Sequence, residues 1–165
     1  MTTILRSAVI GLVGWLAIGG SVNAQSNAGK MPVLTAQDYS EVTELYQRMY
    51  HASDMRDGDR WVSTFADDGV FKLPNGMEVV GKQALREWRT KSFGGKTGDT
   101  RRRHWTSGVV MTPNADGSAK VRAYWLALDV SKKAVTETGT FEDVVAKTPA
   151  GWKFKRHVVI FDSTE

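Results

Sequence analysis

The chain has 165 residues, 22 basic and 18 acidic side chains, a formal charge of +4, and 0 cysteines. The lack of cysteine excludes disulfide scaffolding, thiol catalysis and Cys-ligated metal sites. The charge excess is small and mixed with acidic residues, which argues against a nucleic-acid surface.

Arg6 precedes an apolar run from Ala8 to Ile18. Gly19-Gly20-Ser21 ends the run, and Val22-Asn23-Ala24 follows with small residues at the cleavage positions. This order predicts a signal peptide over residues 1–24 and a periplasmic or extracellular destination. The run is shorter than the roughly 20 residues that span a bilayer, so no membrane attachment is expected after cleavage. Residues 25–33 read as a polar, flexible leader. What remains, 34–162, has a one-domain length and shows no internal repeat.

Thr35-Ala36-Gln37-Asp38 has the pattern of a capped helix start. Tyr39, Val42, Leu45, Tyr46, Met49 and Tyr50 then form one helical stripe, so a helix is expected to about Ser53. Asp54 to Gly58 interrupts it, and Asp59 to Phe65 predicts a short second helix. Val70 to Leu73 has strand composition and stops at Pro74-Asn75-Gly76. Glu78-Val79-Val80 leads to Gly81 and a third helix over Lys82 to Ser92. Phe93 to Thr100 is a Gly-rich loop.

From Arg101 onward the pattern is all strand: Arg101–Thr112, Lys120–Val130, Thr136–Lys147 and Trp152–Phe161. An Asp-Gly turn at 116–117 and Pro149-Ala150-Gly151 punctuate the run. The expected class is α+β: a cone-shaped, curved antiparallel sheet wrapped over about three N-terminal helices. On the second long strand Ala123, Trp125 and Ala127 share one face. Small and large residues there leave room for a cavity with an aromatic wall, suited to a small hydrophobic or aromatic molecule.

Several motifs together resemble the SnoaL-like domains of the nuclear transport factor 2-like superfamily. They are Asp54-Met55-Arg56-Asp57-Gly58-Asp59-Arg60-Trp61, Phe65-Ala66-Asp67-Asp68-Gly69-Val70-Phe71, Gly81, His104, Gly139 to Asp143, and Gly151 to Phe154 with Arg156. The resemblance spans about Leu34 to Asp162 and implies the cone fold and a homodimer through the outer sheet face. Functions on this fold range from dehydratases, dehydrochlorinases and isomerases to non-catalytic binders. Scytalone dehydratase, bile-acid dehydratase and hexachlorocyclohexane dehydrochlorinase pair an Asp at the end of the first helix with a His on the long strand. Asp54 and His104 stand there in this chain. Three positions depart from the scytalone enzyme: Trp125 replaces a second pocket His, Phe141 a pocket Asn, and Ser53 the Tyr before the Asp.

An Asp–His pair suits proton abstraction beside an activated carbon. A neutral imidazole takes the proton, and the carboxylate fixes its tautomer. One reading is therefore a lyase or isomerase with no cofactor and no metal. His104 is then the base and Asp54 its orienting partner; Tyr50, Trp125, Phe141, Arg102 and Arg156 contact the substrate. The other readings stay open. Asp54 also suits a helix cap or elbow brace, His104 a satisfied interior residue, and the domain a non-catalytic ligand-binding or dimerisation module. Asp143 falls opposite Arg156 or His157 across the last hairpin, where a structural pair is the default. Alternation along a strand keeps Arg101, Arg102 and Arg103 from forming one patch.

Overall fold

A computed structural model describes residues 32–163. The expected signal peptide and most of the leader lie outside these residues. The elements run α1 (Ala36–Asp54), α2 (Gly58–Ser63), β1 (Phe65–Lys72), β2 (Glu78–Val80), α3 (Lys82–Ser92), β3 (Arg102–Pro113), β4 (Ala119–Asp129), β5 (Ala134–Thr148) and β6 (Gly151–Phe161). No helix among the described residues is long and apolar enough to cross a membrane.

Thr35 caps α1. Its hydroxyl accepts from Asp38 N–H at 3.2 Å, while the Asp38 carboxylate accepts from Thr35 N–H at 2.9 Å. Val42, Leu45, Tyr46, Met49 and Ala52 form the buried stripe of α1, which packs on β3 and β6. Each large apolar side chain buried this way contributes about 1.5–3 kcal/mol. Asp57 N–H donates to Ala52 O at 2.8 Å, and the Asp57 carboxylate caps α2 through Arg60 N–H at 2.9 Å. The helix cap at the elbow is thus Asp57, which leaves the Asp54 side chain for other work.

The strands form one curved, unclosed sheet in the order β2-β1-β6-β5-β4-β3. The four long strands are antiparallel as expected. β1, however, lies parallel to β6, pairing Phe71 with His157, so the sheet is mixed. The expected short strand at 70–73 is the end of β1, which begins at Phe65; Glu78–Val80 is a further strand paired with it. The three helices gather on the concave face.

Two details of the sheet shape its interior. Gly139 faces Trp125 across β4 and β5, and a Cβ at 139 would stand 2.6 Å from the Trp125 ring nitrogen. Only glycine lets the indole lie flat over β5 and donate to Ile160 O at 3.3 Å. On β6 the register slips: Val145 pairs with Phe154, but Val144 pairs with Arg156. This bulge reverses the inward face after Phe154, because the extra residue shifts a period of two by one.

Candidate active site

The cavity lies between the concave sheet face and the helices, with a volume of about 130 Å³. Trp61, Phe71, Trp125, Phe141, Val159 and Phe161 give it apolar walls. Tyr50, Ser53, Arg89, Arg102, His104, Glu137 and His157 bring polar atoms to it. His104, Tyr50, Phe141 and Trp125 form a ladder of rings, with centroid separations of 4.8, 5.3 and 5.5 Å along it.

Asp54 ends α1, where Thr100 N–H holds its carbonyl at 2.8 Å and so ties the elbow to the start of β3. Its carboxylate is buried and takes two hydrogen bonds from one residue. His104 Nδ1 lies 2.5 Å from Oδ1, and His104 N–H donates to Oδ2 at 3.0 Å. A carboxylate beside Nδ1 puts the ring proton there, so Nε2 carries a lone pair. Nε2 has no hydrogen-bond partner among the described residues, and the ring lines the cavity.

A second chain of polar groups runs beneath the first. Asp143 and His157 are only 3% and 1% exposed. Asp143 accepts from His157 Nδ1–H at 2.9 Å, from Val158 N–H at 2.9 Å, and from the Tyr46 hydroxyl. His157 Nε2 is 3.0 Å from the Tyr50 hydroxyl. Burial, followed by the charge of Asp143, pushes the Tyr50 hydroxyl well above its ordinary range, so it stays protonated. With Nδ1–H given to Asp143, His157 Nε2 accepts from the Tyr50 hydroxyl.

The arginines divide sharply. Arg102 lines the cavity mouth and is ion-paired with Glu137. Arg103 pairs with Asp99 at 2.8 Å, on the other face of β3. Arg156 is corrected: it points away from the cavity and binds Glu78 at 2.6 Å. The bulge before it is the reason, since it turns His157 inward and Arg156 outward. Arg89, which sequence reasoning missed, lines the cavity from α3. Tyr50, Trp125 and Phe141 also line it. No cluster of three His, Asp or Glu side chains able to hold a metal ion occurs among the described residues.

The model of the SnoaL-like domain family matches residues 34–158. The chain belongs to this family. A cystatin-like-fold protein of unknown function from Nostoc punctiforme is similar at TM-score 0.70 and 23% identity, covering 81% of this chain and 97% of that one. ActVI-ORFA from Streptomyces coelicolor is similar at 0.64 and 24%, covering 75% and 96%. A scytalone dehydratase-like protein from Novosphingobium aromaticivorans is similar at 0.65 and 19%, covering 78% and 87%. At these identities the likeness shows the fold alone. No curated protein sequence matches the chain.

Proposed function

We propose that this SnoaL-like protein is an exported, cofactor-free lyase or isomerase acting on a small ring-containing molecule. The carrying observation is the grip of Asp54 on both the ring Nδ1 and the backbone N–H of His104, which leaves Nε2 open to an aromatic cavity. His104 Nε2 takes a proton from carbon, and the C–H electron pair forms the new double bond. The bond to a β-oxygen or halogen breaks, and its electrons leave with that atom. A hydroxide leaving group takes from His104 Nε2 the proton removed from carbon and departs as water, which returns the imidazole to its neutral form. Asp54 steadies the imidazolium meanwhile. The likeness to a scytalone dehydratase-like protein agrees with this chemistry. Export rests on the sequence of residues 1–24.

The test is a screen of single-ring β-hydroxy and β-halo carbonyl compounds, read by absorbance of the new conjugated bond. The expected result is turnover that falls about 10²–10⁴-fold in His104→Ala, with the circular dichroism spectrum unchanged. Equal turnover in the variant would remove the base assignment. A second reading, a non-catalytic binding module, draws on how much of the interior Trp125 and Phe141 fill. Binding without turnover by the unaltered protein would favour it.

The outer face of the sheet is proposed as a homodimer surface. Trp105, Leu126 and Thr138 lie side by side on it, as do Tyr124, Thr140 and Ile160.

A further inference from the structure

Arg89 is treated differently from the other arginines near the cavity. Arg102, Arg103 and Arg156 each have a carboxylate within ion-pair distance. The Arg89 guanidinium instead sits over Trp61 and Phe93, at 4.7 and 4.3 Å from their ring centroids, and donates from Nη2 to the Ser53 hydroxyl. Among the described residues its Nε–H, like that of Arg102, is buried and has no partner. The nearby carboxylate, Asp54, already spends both oxygens on His104. The small Ser53 side chain leaves room for the guanidinium and accepts one of its five N–H bonds.

The half-buried Arg89 guanidinium makes no direct ion pair among the described residues; the Asp54 charge acts on it only from a distance, so its free donors are open to a bound acceptor. Burial lowers the Arg89 guanidinium to about 10, which still leaves it charged near neutral pH. A planar fork with unused donors fits a carboxylate. The cavity, about 130 Å³, is comparable to the roughly 150 Å³ apolar cavity that accommodates benzene. We propose that Arg89 receives the carboxylate of a single-ring organic acid, with the ring held between Trp125, Phe141 and Trp61. The assignment deepens the lyase reading by naming the substrate class, and it rests on the same cavity.

The probes are benzoate and benzamide, which share a shape and differ in charge, titrated calorimetrically into the purified protein. Benzoate is expected to bind at least tenfold more tightly. Arg89→Gln should bring the two within about twofold, and Arg89→Lys should keep part of the preference. In the unaltered protein, benzoate should also shift the Arg89 Nε–H nuclear magnetic resonance signal, and benzamide should not. That signal decides the matter even if the variants fail to fold. Equal binding of the two probes, no binding of either at millimolar concentration, a retained preference in Arg89→Gln or an unmoved Nε–H signal would each overturn the assignment. Because the readout is equilibrium binding, loss or retention of turnover in His104→Ala bears only on the general-base reading.

Discussion

Both oxygens of Asp54 go to one residue, and they do different things there. The bond to His104 N–H fixes where β3 begins, while the bond to Nδ1 selects the tautomer. Asparagine can accept only one of these and presents an N–H to the other nitrogen. Asp54→Asn is therefore expected to move the His104 proton to Nε2 and to lower stability by about 1–3 kcal/mol. Side-chain ¹⁵N spectra check this directly: the unaltered protein should show His104 in the Nδ1–H form and the variant the Nε2–H form. An Nε2–H signal in the unaltered protein would contradict the geometry. Asp54 and His104 were legible because they stand at motif positions, one closing a helical stripe and one early on a long strand. Arg89 was not. It lies among Arg86, Glu87 and Lys91 on α3 with no motif to mark it, and the packing of α3 against Trp61 turns it inward.

Element by element, the helices and long strands were legible from periodicity, and the departures have local causes. The first half of β1 carries exposed Asp67 and Asp68 and lacks a period of two, so Phe65 read as the end of a helix. The bulge on β6 has no residue signature, since Lys155 is an ordinary strand residue, yet it decides that His157 rather than Arg156 faces the cavity. The start of α1 was read as a cap and does more. Asp38 also accepts from Lys147 Nζ at 2.8 Å and Trp152 Nε1 at 3.1 Å, clasping α1 to the final hairpin. The bond to Lys147, then those to Thr35, hold its carboxyl well below the usual carboxylate range. A folded-state value below the unfolded one, about 3.9, adds stability that is complete above that pH and is lost as pH falls toward the depressed value. Asp38→Asn should therefore lower stability at pH 7 by about 1–3 kcal/mol, and the gap should narrow below about pH 4. Urea unfolding at pH 7 and pH 3 measures both; a gap unchanged between them would show that the charge is not what matters.

At the scale of the molecule, the sheet has two faces with opposite assignments. The concave one holds Phe141, Asp143 and Val145 against the helices, and the outer one exposes Trp105 at 52% and Tyr124 at 61%. Bulky apolar side chains standing together in solvent mark an interaction surface more often than an inert one. Here they are flanked by Arg122 and Glu142, which neutralise each other across the strands, so the face carries little charge to repel its own copy. A face that pairs with itself about a twofold axis repeats each contact, and one substitution therefore acts twice. Size-exclusion chromatography with light scattering is expected to give about twice the chain mass. Tyr124→Glu should place two like charges near the axis and shift the protein to monomer, with its circular dichroism unchanged. The cavity lies on the other face, so benzoate binding should persist in that monomer. A monomeric unaltered protein, or a dimer indifferent to Tyr124→Glu, would mean that the apolar outer face serves something other than self-association.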